Sequence, residues 1–380
     1  MKELLSPNSV AVIGASNDET KLGGMLVKNM LNAGFKGKLY PINPKGGEIM
    51  GLKAYPSVTD VGEPIDLAVV AVKAALVEGE VRKMKEAGIK YAAILTAGFK
   101  EDSPEGAELE KKLVQAAKES GVRFLGPNCF GLMCAGKGVN ATFTYMLPKT
   151  GNISIFSQSG AVGSSIIDWA VANQMGLAHF VTFGNKADID EADILEEIAE
   201  DPETKVIGMY CEGISDGEKF VQAVENMSVK KPIVIFKSGR TQAGSAAASS
   251  HTGSLAGSDA VNNVIFNKLN IFRALDLDEM FDALGVFSTC SPMKKDGIAI
   301  ITNAGGPGVM SADAAFDAPQ VLRRDHRRDQ EARPHRRRTH QPDRRPRRRQ
   351  ARVLQRGHRH RHQGPQRGRT RHHGIPSRHR

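Results

Sequence analysis

Histidine is scarce in the first 320 residues of this chain, and one of the two present stands in a loop of small residues. That loop reads Ser249-Ser250-His251-Thr252-Gly253-Ser254-Leu255-Ala256-Gly257. Small side chains let the backbone approach a ligand and leave the imidazole clear of bulky neighbours. The loop therefore makes His251 a candidate carrier of an anionic group, with a stray surface histidine as the plainer alternative.

Two glycine-containing turns that follow buried strands are candidate anion sites. Ser157-Gln158-Ser159-Gly160 follows the strand 152–156, and 303–308 follows the strand 297–302. A helix that begins at such a turn directs free N–H groups and its positive dipole end at an anion. An ordinary helix cap is the alternative. The predicted phosphate ligands are Ser157, Gln158, Ser159, Gly160, Gly305, Gly306 and Gly308.

The first strand, Ser9–Ile13, also ends in a glycine turn, Gly14-Ala15-Ser16. That turn lacks a complete G-x-G-x-x-G pattern, and no acidic residue closes the second strand to bind a ribose. Instead Lys45 follows the second strand, where a cation could meet a phosphate. A phosphorylated cofactor such as coenzyme A is therefore favoured over a dinucleotide.

Further polar groups fall at the ends of later strands in the same region. Thr96-Ala97-Gly98 follows the strand 91–95, Asn128 follows the strand 122–125, and Glu212 follows the strand 206–211. Ligands of open parallel sheets lie beyond the carboxyl ends of the strands. The regular alternation of strands and helices thus predicts an α/β fold with a ligand cleft at these ends, although each turn alone could be ordinary βα chemistry.

Charge divides the chain into two parts. Residues 321–380 hold 22 of the 52 basic and only four of the 42 acidic residues, so the tail carries +18 and residues 1–320 carry −8. The four cysteines (Cys129, Cys134, Cys211 and Cys290) show no metal-ligand spacing and are expected to be reduced thiols. We expect a cytoplasmic protein with no signal peptide, no membrane span and no metal site.

The Arg/His-rich tail, 317–380, allows three interpretations. They are a basic arm that binds nucleic acid, a naturally disordered segment, and a frame-shifted, disordered translation, and the last of these fits the residues best. Arg, His, Gln and Pro share codons that begin with C, which one-base slippage in a GC-rich gene produces. Re-sequencing of the gene tests this interpretation.

Several motifs together resemble the nucleoside-diphosphate-forming acyl-CoA synthetases, relatives of succinyl-CoA synthetase. The resemblance covers roughly residues 5–316, and the α subunit of the acetate-using, ADP-forming members is the nearest type. It rests on the His251 loop, Phe156 to Gly163, Gly184-Asn185-Lys186-Ala187-Asp188, Glu212-Gly213-Ile214 and Thr302 to Gly308.

The resemblance implies a reaction and a role for each candidate residue. Acyl-CoA, ADP and phosphate would give the acid, CoA and ATP through an acyl phosphate and a phosphohistidine at His251. Glu212 would accept the other ring N–H. The resemblance implies cofactor binding at Ser16, Asn17, Asp18, Glu19, Lys45, Leu95, Thr96 and Ala97. The strand ends add Gly14 and Asn128 as candidate cofactor ligands. Ser164 occupies a substrate-contacting position, which leaves the carboxylic acid open.

The resemblance also implies a domain plan. It comprises a Rossmann-like CoA-binding domain (1–135), a flavodoxin-like succinyl-CoA-synthetase-type domain (150–290), a truncated third domain (296–316) and the tail. No ATP-grasp domain is evident, so ADP or ATP with Mg²⁺ would bind an ATP-grasp β subunit in a hetero-oligomer, or a missing fused part. A CoA or acyl-CoA sensor without turnover is the alternative, and a protein acyltransferase finds no support in the residues.

Overall fold

The computed structural model describes residues 1–241, 243–244, 259–291 and 298–316, and the backbone of 352–355. The chain forms two compact units, residues 1–291 and 292–380. The His251 loop lies outside the described residues, as does almost all of the tail. None of the helices that the structure describes is long and apolar enough to cross a membrane.

The first sheet is parallel and five-stranded, in the order β2-β1-β5-β6-β7. Its elements run α1 (Lys2–Leu5), β1 (Ser9–Ile13), α2 (Leu22–Asn32), β2 (Lys38–Ile42), β3 (Gly47–Ile49), β4 (Leu52–Ala54), β5 (Leu67–Val70), α3 (Ala74–Glu86), β6 (Tyr91–Ile94), α4 (Pro104–Ser120) and β7 (Arg123–Leu125). Residues of β1 and β5 are all buried, as expected for strands covered by helices on both faces. This confirms the predicted Rossmann-like, doubly wound sheet.

The second sheet has seven strands, in the order β14-β13-β12-β10-β11-β8-β9. Its elements are β8 (Gly131–Cys134), β9 (Val139–Thr142), β10 (Thr150–Ser157), α5 (Gly160–Ala172), β11 (Leu177–Thr182), α6 (Glu191–Ala199), β12 (Val206–Cys211), α7 (Gly217–Glu225), β13 (Ile233–Lys237), α8 (Asp259–Lys268), β14 (Phe272–Ala274) and α9 (Leu277–Thr289). Five strands are parallel, and β8 pairs antiparallel with β11. The flavodoxin-like arrangement is thereby confirmed, with the hairpin β8–β9 added at one edge.

Local sequence signals explain where several helices begin and end. Ser103 caps α4 by accepting a hydrogen bond from the Gly106 N–H, Pro104 occupies the first turn, and Gly121 ends the helix in the left-handed region. Asp190 and Asp193 form a reciprocal capping box at the start of α6.

The two sheets of the first unit share one apolar core. Val10 and Val69 of the first sheet belong to the same buried cluster as Phe156, Met209 and Ile235 of the second. Separate clusters cover the outer faces of each sheet. The shared core means that the two sheets hold each other in a fixed arrangement.

The second unit contains β15 (Ala299–Thr302) and the helix α10 (305–316), and β15 pairs in parallel with β16 (Arg352–Gln355). The helix begins at 305, inside the turn predicted over 303–308, so Gly305, Gly306 and Gly308 lie in its first turn instead of a preceding loop. The strand β16 also differs from the disorder predicted for the whole tail; the rest of 317–380 lies outside the described residues.

Candidate functional site

Strand order fixes where each sheet can bind a ligand. In the first sheet, β1 lies between β2 and β5, so the chain crosses first to one side of β1 and later to the other. In the second, β10 lies between β11 and β12 in the same way. A crevice forms beyond the carboxyl ends of the strands where the order reverses. The turns after β1 and β10 are therefore the natural ligand positions, and both were predicted as such.

The turn after β1 depends on the absence of a side chain at Gly14. Its φ is +92°, and a Cβ there would lie 2.5 Å from the carbonyl oxygen of Ala71. Gly23, at the start of α2, packs against Gly14 so closely that its Cβ would clash with the Gly14 carbonyl. No larger residue fits either position, so the two glycines allow the β1 turn to pack directly against the start of α2.

Hydrogen bonds order the predicted CoA-binding loop. Asn17 donates to the Glu48 carbonyl at 3.0 Å and accepts from the Met50 N–H at 2.8 Å, which ties the loop to the hairpin β3–β4. Ser16 accepts from the Asp18 N–H at 3.0 Å. Glu19 forms an ion pair with Lys28 at 2.9 Å. These contacts preorganise the loop instead of leaving its side chains free.

Lys45 and the β6 end complete the first candidate site. The Lys45 N–H donates to Asn43, whose own side chain donates to the Ala15 carbonyl at 2.8 Å. This link holds Lys45 beside the β1 turn, with its side chain exposed. At the end of β6, the buried Thr96 donates to the Val72 carbonyl at 2.8 Å.

The second candidate site is built around Gln158, which follows β10 directly. Its side-chain oxygen accepts from the backbone N–H groups of Glu212 and Gly213 at 2.7 and 3.0 Å. Its side-chain nitrogen donates to the Gly213 carbonyl at 2.8 Å. Two predicted site residues, Gln158 and Glu212, are thus brought together, and Gln158 fixes the turn that carries the carboxylate.

The helix α5 begins beside this turn. Ser159 caps it by accepting from the Val162 N–H, and Ser157 donates to the Ser159 carbonyl at 2.7 Å. A Cβ on Gly160 would lie 3.4 Å from the Cβ of Phe130, so the helix mouth is closely bordered on that side. Its first N–H groups lack intrahelical partners, so the predicted anion site at this helix start stays a prediction.

Three charged side chains, two of them buried and one partly buried, support the Glu212–Gly213 turn, and none was among the predicted site residues. Lys186 donates to the Gly213 carbonyl at 2.9 Å and pairs with Glu191, which is 2% exposed, at 3.2 Å. Lys237 donates to the Glu212 carbonyl at 2.6 Å. Burial lowers the pKa of Lys237. Lys186 stands in the motif 184–188 that carries the resemblance, and Lys237 is the last residue of β13, but neither signal pointed to the Glu212 turn.

A loop links the two candidate sites. Asn128, at the end of the first sheet, donates to Asn185 at 3.4 Å, and the Asn185 N–H donates to the Pro127 carbonyl at 2.9 Å. Gly184 has φ +56° and lies against Pro127 and Asn128 so tightly that a Cβ would be 2.2 Å from the Pro127 oxygen. Lys186 then reaches the Glu212 turn, so the motif 184–188 bridges both sites.

The remaining predicted site residues belong to the second unit or lie outside the described residues. Gly305, Gly306 and Gly308 belong to the second unit, where the Gly308 N–H donates within the helix to the Ala304 carbonyl. His251 lies outside the described residues. The thiols of Cys129 and Cys211 are buried, which raises the pKa of each to about 12 and leaves both unreactive.

Comparison with known proteins accounts for both sheets. The family described as "CoA binding domain" matches residues 8–135, and the family described as "Succinyl-CoA ligase like flavodoxin domain" matches residues 150–287.

Curated relatives extend the match along the chain. An "Acetate--CoA ligase [ADP-forming]" of Methanocaldococcus jannaschii is 45% identical over 317 residues, which is 83% of this chain and 44% of that protein. An "Acetate--CoA ligase [ADP-forming] I subunit alpha" of Pyrococcus furiosus is 42% identical over 321 residues, 83% of this chain and 69% of that subunit. The chain thus spans less than half of the first relative and about two thirds of the second.

A solved structure gives the same picture. It is titled as a "dinucleotide forming Acetyl-coenzyme A synthetase 1" of Candidatus Korarchaeum cryptofilum, in complex with phosphate and ADP. It matches with a TM-score of 0.79 and 41% identity, over 83% of this chain and 68% of that one. This structural similarity agrees with the two family matches and with the match to the Pyrococcus furiosus α subunit. Together they show that this chain belongs to the ADP-forming acyl-CoA synthetases and that acetate–CoA ligase α subunits are among its relatives.

Proposed function

We propose that the chain is the CoA-binding and phosphohistidine-bearing α part of an ADP-forming acetate–CoA ligase. The observation that carries the proposal is the Gln158 side chain, which fixes the Glu212 turn beside the mouth of α5. That arrangement puts an anion-binding helix end and a carboxylate at the same switch point. A site that passes a phosphoryl group through an imidazole needs both.

The proposed reaction has three steps. Phosphate attacks the acyl-CoA carbonyl, the CoA thiolate leaves, and an acyl phosphate forms. A ring nitrogen of His251 then attacks the phosphorus and releases the carboxylate. Finally a β-phosphate oxygen of ADP takes the phosphoryl group, which gives ATP and restores the imidazole.

In this scheme the residues of the second sheet act on the phosphoryl group and the ring. The first N–H groups of α5, with Ser157 and Ser159, bind the phosphoryl oxygens as charge moves between them. Glu212 accepts the N–H of the other ring nitrogen, which selects the tautomer and stabilises the imidazolium. Gln158, Lys186 and Lys237 position the turn that holds Glu212.

CoA is proposed to bind at the carboxyl edge of the first sheet. The N–H groups of the loop 14–19 and the exposed Lys45 would meet its phosphates, and Thr96 and Asn128 border the path towards the second site. The bridge formed by 184–188 would place the thioester end near α5.

The nucleotide step is proposed to use an ATP-grasp β subunit, or a fused equivalent beyond this sequence, which would supply ADP and Mg²⁺. The Pyrococcus furiosus relative is itself named as a subunit α. The second glycine-rich helix start, at 305–308, is proposed as a further anion site.

Phosphorylation of His251 tests the proposal. With labelled ATP, Mg²⁺ and a β subunit, we expect an acid-labile, base-stable label at His251. His251→Ala should abolish it while CoA binding stays near the wild-type value. His335→Ala, in the tail, is the matched control and should keep the label. CoA binding with no label in the wild type would contradict the proposal and favour a CoA or acyl-CoA sensor.

The acid is identified by CoA consumption with a panel of carboxylates, with and without the β subunit. We expect consumption only when ATP, CoA, the acid and the β subunit are all present. Consumption without any added acid would contradict the reaction proposed.

A further inference from the structure

A cysteine, a histidine and a glutamate converge at the edge of the second sheet. One donor atom from each of Cys134, His179 and Glu203 lies within 4.8 Å of the other two. Cys134 and His179 are direct partners in the antiparallel pairing of β8 with β11, so both side chains point to the same face. Glu203 comes from the segment between α6 and β12. None of these residues belongs to the site proposed above.

The imidazole of His179 has one nitrogen engaged and one without a partner. Its Nε2 lies 3.2 Å from Asp201 Oδ2, whereas its buried Nδ1 has no hydrogen-bond partner among the residues that the structure describes. The residue is 2% exposed, so Nδ1 is closed off from bulk solvent. An unsatisfied buried polar group of this kind costs about 1–3 kcal/mol.

The carboxylate behind the imidazole is itself held in place. Asp201 accepts hydrogen bonds from the Thr204 hydroxyl and from the Glu203 N–H, and the Thr204 hydroxyl also meets Ser154 at 2.7 Å. Histidines that ligate metals usually donate their other N–H to a carboxylate, which fixes the ring and raises its basicity. The Asp201–His179 pair has that arrangement and leaves Nδ1 as the ring nitrogen open to an ion.

We propose that Cys134, His179 and Glu203 form a binding site for a zinc-like divalent ion, with a water as the fourth ligand. One thiolate, one imidazole and one carboxylate are a donor set that suits Zn²⁺. Bonds of 2.0–2.3 Å to a tetrahedral ion place ligand atoms about 3.4 Å apart, so the three side chains must draw inward slightly. Glu203 is exposed and can make that movement.

Gly136 leaves room for the carboxylate. A Cβ at that position would lie 3.2 Å from Glu203 Oε2, and the short helix Ala135–Lys137 follows Cys134 directly. The ion would therefore join the hairpin β8–β9, the strand β11 and the segment before β12.

The position of the cluster indicates a structural role. His179 is in register with Ser154, which precedes the Ser157 end of β10 by three residues. The phosphoryl site lies beyond that end, so the ion would not contact the reacting groups. Bound metal should raise stability and leave the chemistry to the residues at the other edge.

The test uses Zn²⁺ and Co²⁺ on the full chain. Its tail holds nine further histidines but no cysteine, so metal content alone cannot locate the ion. A thiolate-to-Co²⁺ charge-transfer band can locate the ion, because all four cysteines lie before the tail. We expect one Co²⁺ per chain to give this band with tetrahedral ligand-field bands, and Zn²⁺ to displace it.

Variants separate the site from other thiols. Cys134→Ser, which keeps the side-chain size, should remove the band, whereas Cys290→Ser, at an exposed thiol, should keep it. Glu203→Gln should weaken Co²⁺ binding at the band at least about tenfold, a loss typical even of outer-sphere changes, whereas the exposed Glu105→Gln should not.

Three results would overturn the proposal: no charge-transfer band with the wild type, a band that survives Cys134→Ser, or affinity unchanged by Glu203→Gln.

A doubly protonated imidazole is the competing arrangement. Burial lowers the pKa of His179, but the Asp201 carboxylate and the neighbouring Cys134 sulfur outweigh it and raise the pKa to about 9. NMR that shows both His179 ring nitrogens protonated in excess Zn²⁺ would establish that arrangement and refute ours.

Discussion

At the scale of single residues, Gln158 illustrates how a side chain can serve a site by holding another residue in place. Its amide binds three backbone groups of Glu212 and Gly213. The pattern of small polar residues after β10 predicted a phosphate ligand, and that remains a prediction. The positioning role could not be predicted, because it depends on β12 lying next to β10 in the sheet.

Gln158→Ala tests this positioning role. The substitution leaves the Glu212 and Gly213 N–H groups unsatisfied, so we expect a loss of about 1–3 kcal/mol in the free energy of unfolding. Phosphorylation of His251 should slow, while CoA affinity stays unchanged. Urea unfolding and single-turnover labelling measure the two effects. Gln222→Ala, at an exposed position of α7, is the control; equal effects from both variants would refute the role.

A second residue-scale prediction concerns pH. Burial raises the pKa of Asp193, but hydrogen bonds from Lys219 and the Asp190 N–H and the charge of Arg123 outweigh it, and the net pKa is lowered. A carboxyl whose pKa is depressed in the folded state stabilises the fold above its unfolded pKa of about 3.9. That contribution is lost as pH falls through the lower, folded value.

Asp193→Asn should therefore destabilise the protein at pH 7, and the difference from wild type should shrink as the pH falls below about 4. Urea unfolding across that range measures it. Asp168→Asn, at an exposed position of α5, serves as the control and should show no such convergence. A difference between Asp193→Asn and wild type that stays constant down to the acid limit would contradict the assignment.

At the scale of elements, the alternation of apolar strands with capped helices was enough to predict both doubly wound sheets. Ser9–Ile13 and Val206–Cys211 appear with their predicted limits. The hairpin β8–β9 was not predicted, because its strands have only four residues each, and its place in the sheet depends on Cys134 pairing with His179, 45 positions away in the chain. For the same reason, cysteine spacing gave no sign of the proposed metal ligands.

The caps of α5 and α4 provide an element-scale test of the anion site. Ser159 and Ser103 cap their helices in the same way, so replacing either by alanine should cost about 1 kcal/mol of stability. Only Ser159→Ala should slow phosphoryl transfer, by about 100-fold if its hydroxyl binds the moving group. Denaturation and labelling rates for both variants check this. Equal rates would show that the α5 cap is only structural.

At the scale of the whole molecule, the first unit is two sheets with one core. The family matches treat residues 8–135 and 150–287 separately, yet Val10 and Phe156 lie in the same buried cluster. The bridge at Asn185 adds polar contacts between them. Sequence patterns could place each sheet but not this fusion, because apolar periodicity does not show which faces meet. Residues 1–291 should consequently unfold as one cooperative body.

Trp169 makes this cooperativity measurable. It is the single tryptophan, it lies on α5 in the second sheet, and it stacks on Phe281 with ring centroids 3.8 Å apart. CoA is proposed to bind the first sheet. If the sheets unfold together, CoA at 100 times its dissociation constant should add about 2.7 kcal/mol to the unfolding free energy that Trp169 fluorescence reports. Amide exchange in β1 should show the same gain.

Lys45→Ala should reduce both gains equally, since it removes a cation proposed to bind the CoA phosphates, whereas Lys112→Ala on the exposed face of α4 should leave both intact. The decisive comparison is between the two reporters at one CoA concentration. Protection of β1 with an unchanged Trp169 transition would mean that the sheets unfold independently. In that case the shared core could not carry the effect of CoA from one site to the other, and the two sites would communicate only through the loop 184–188.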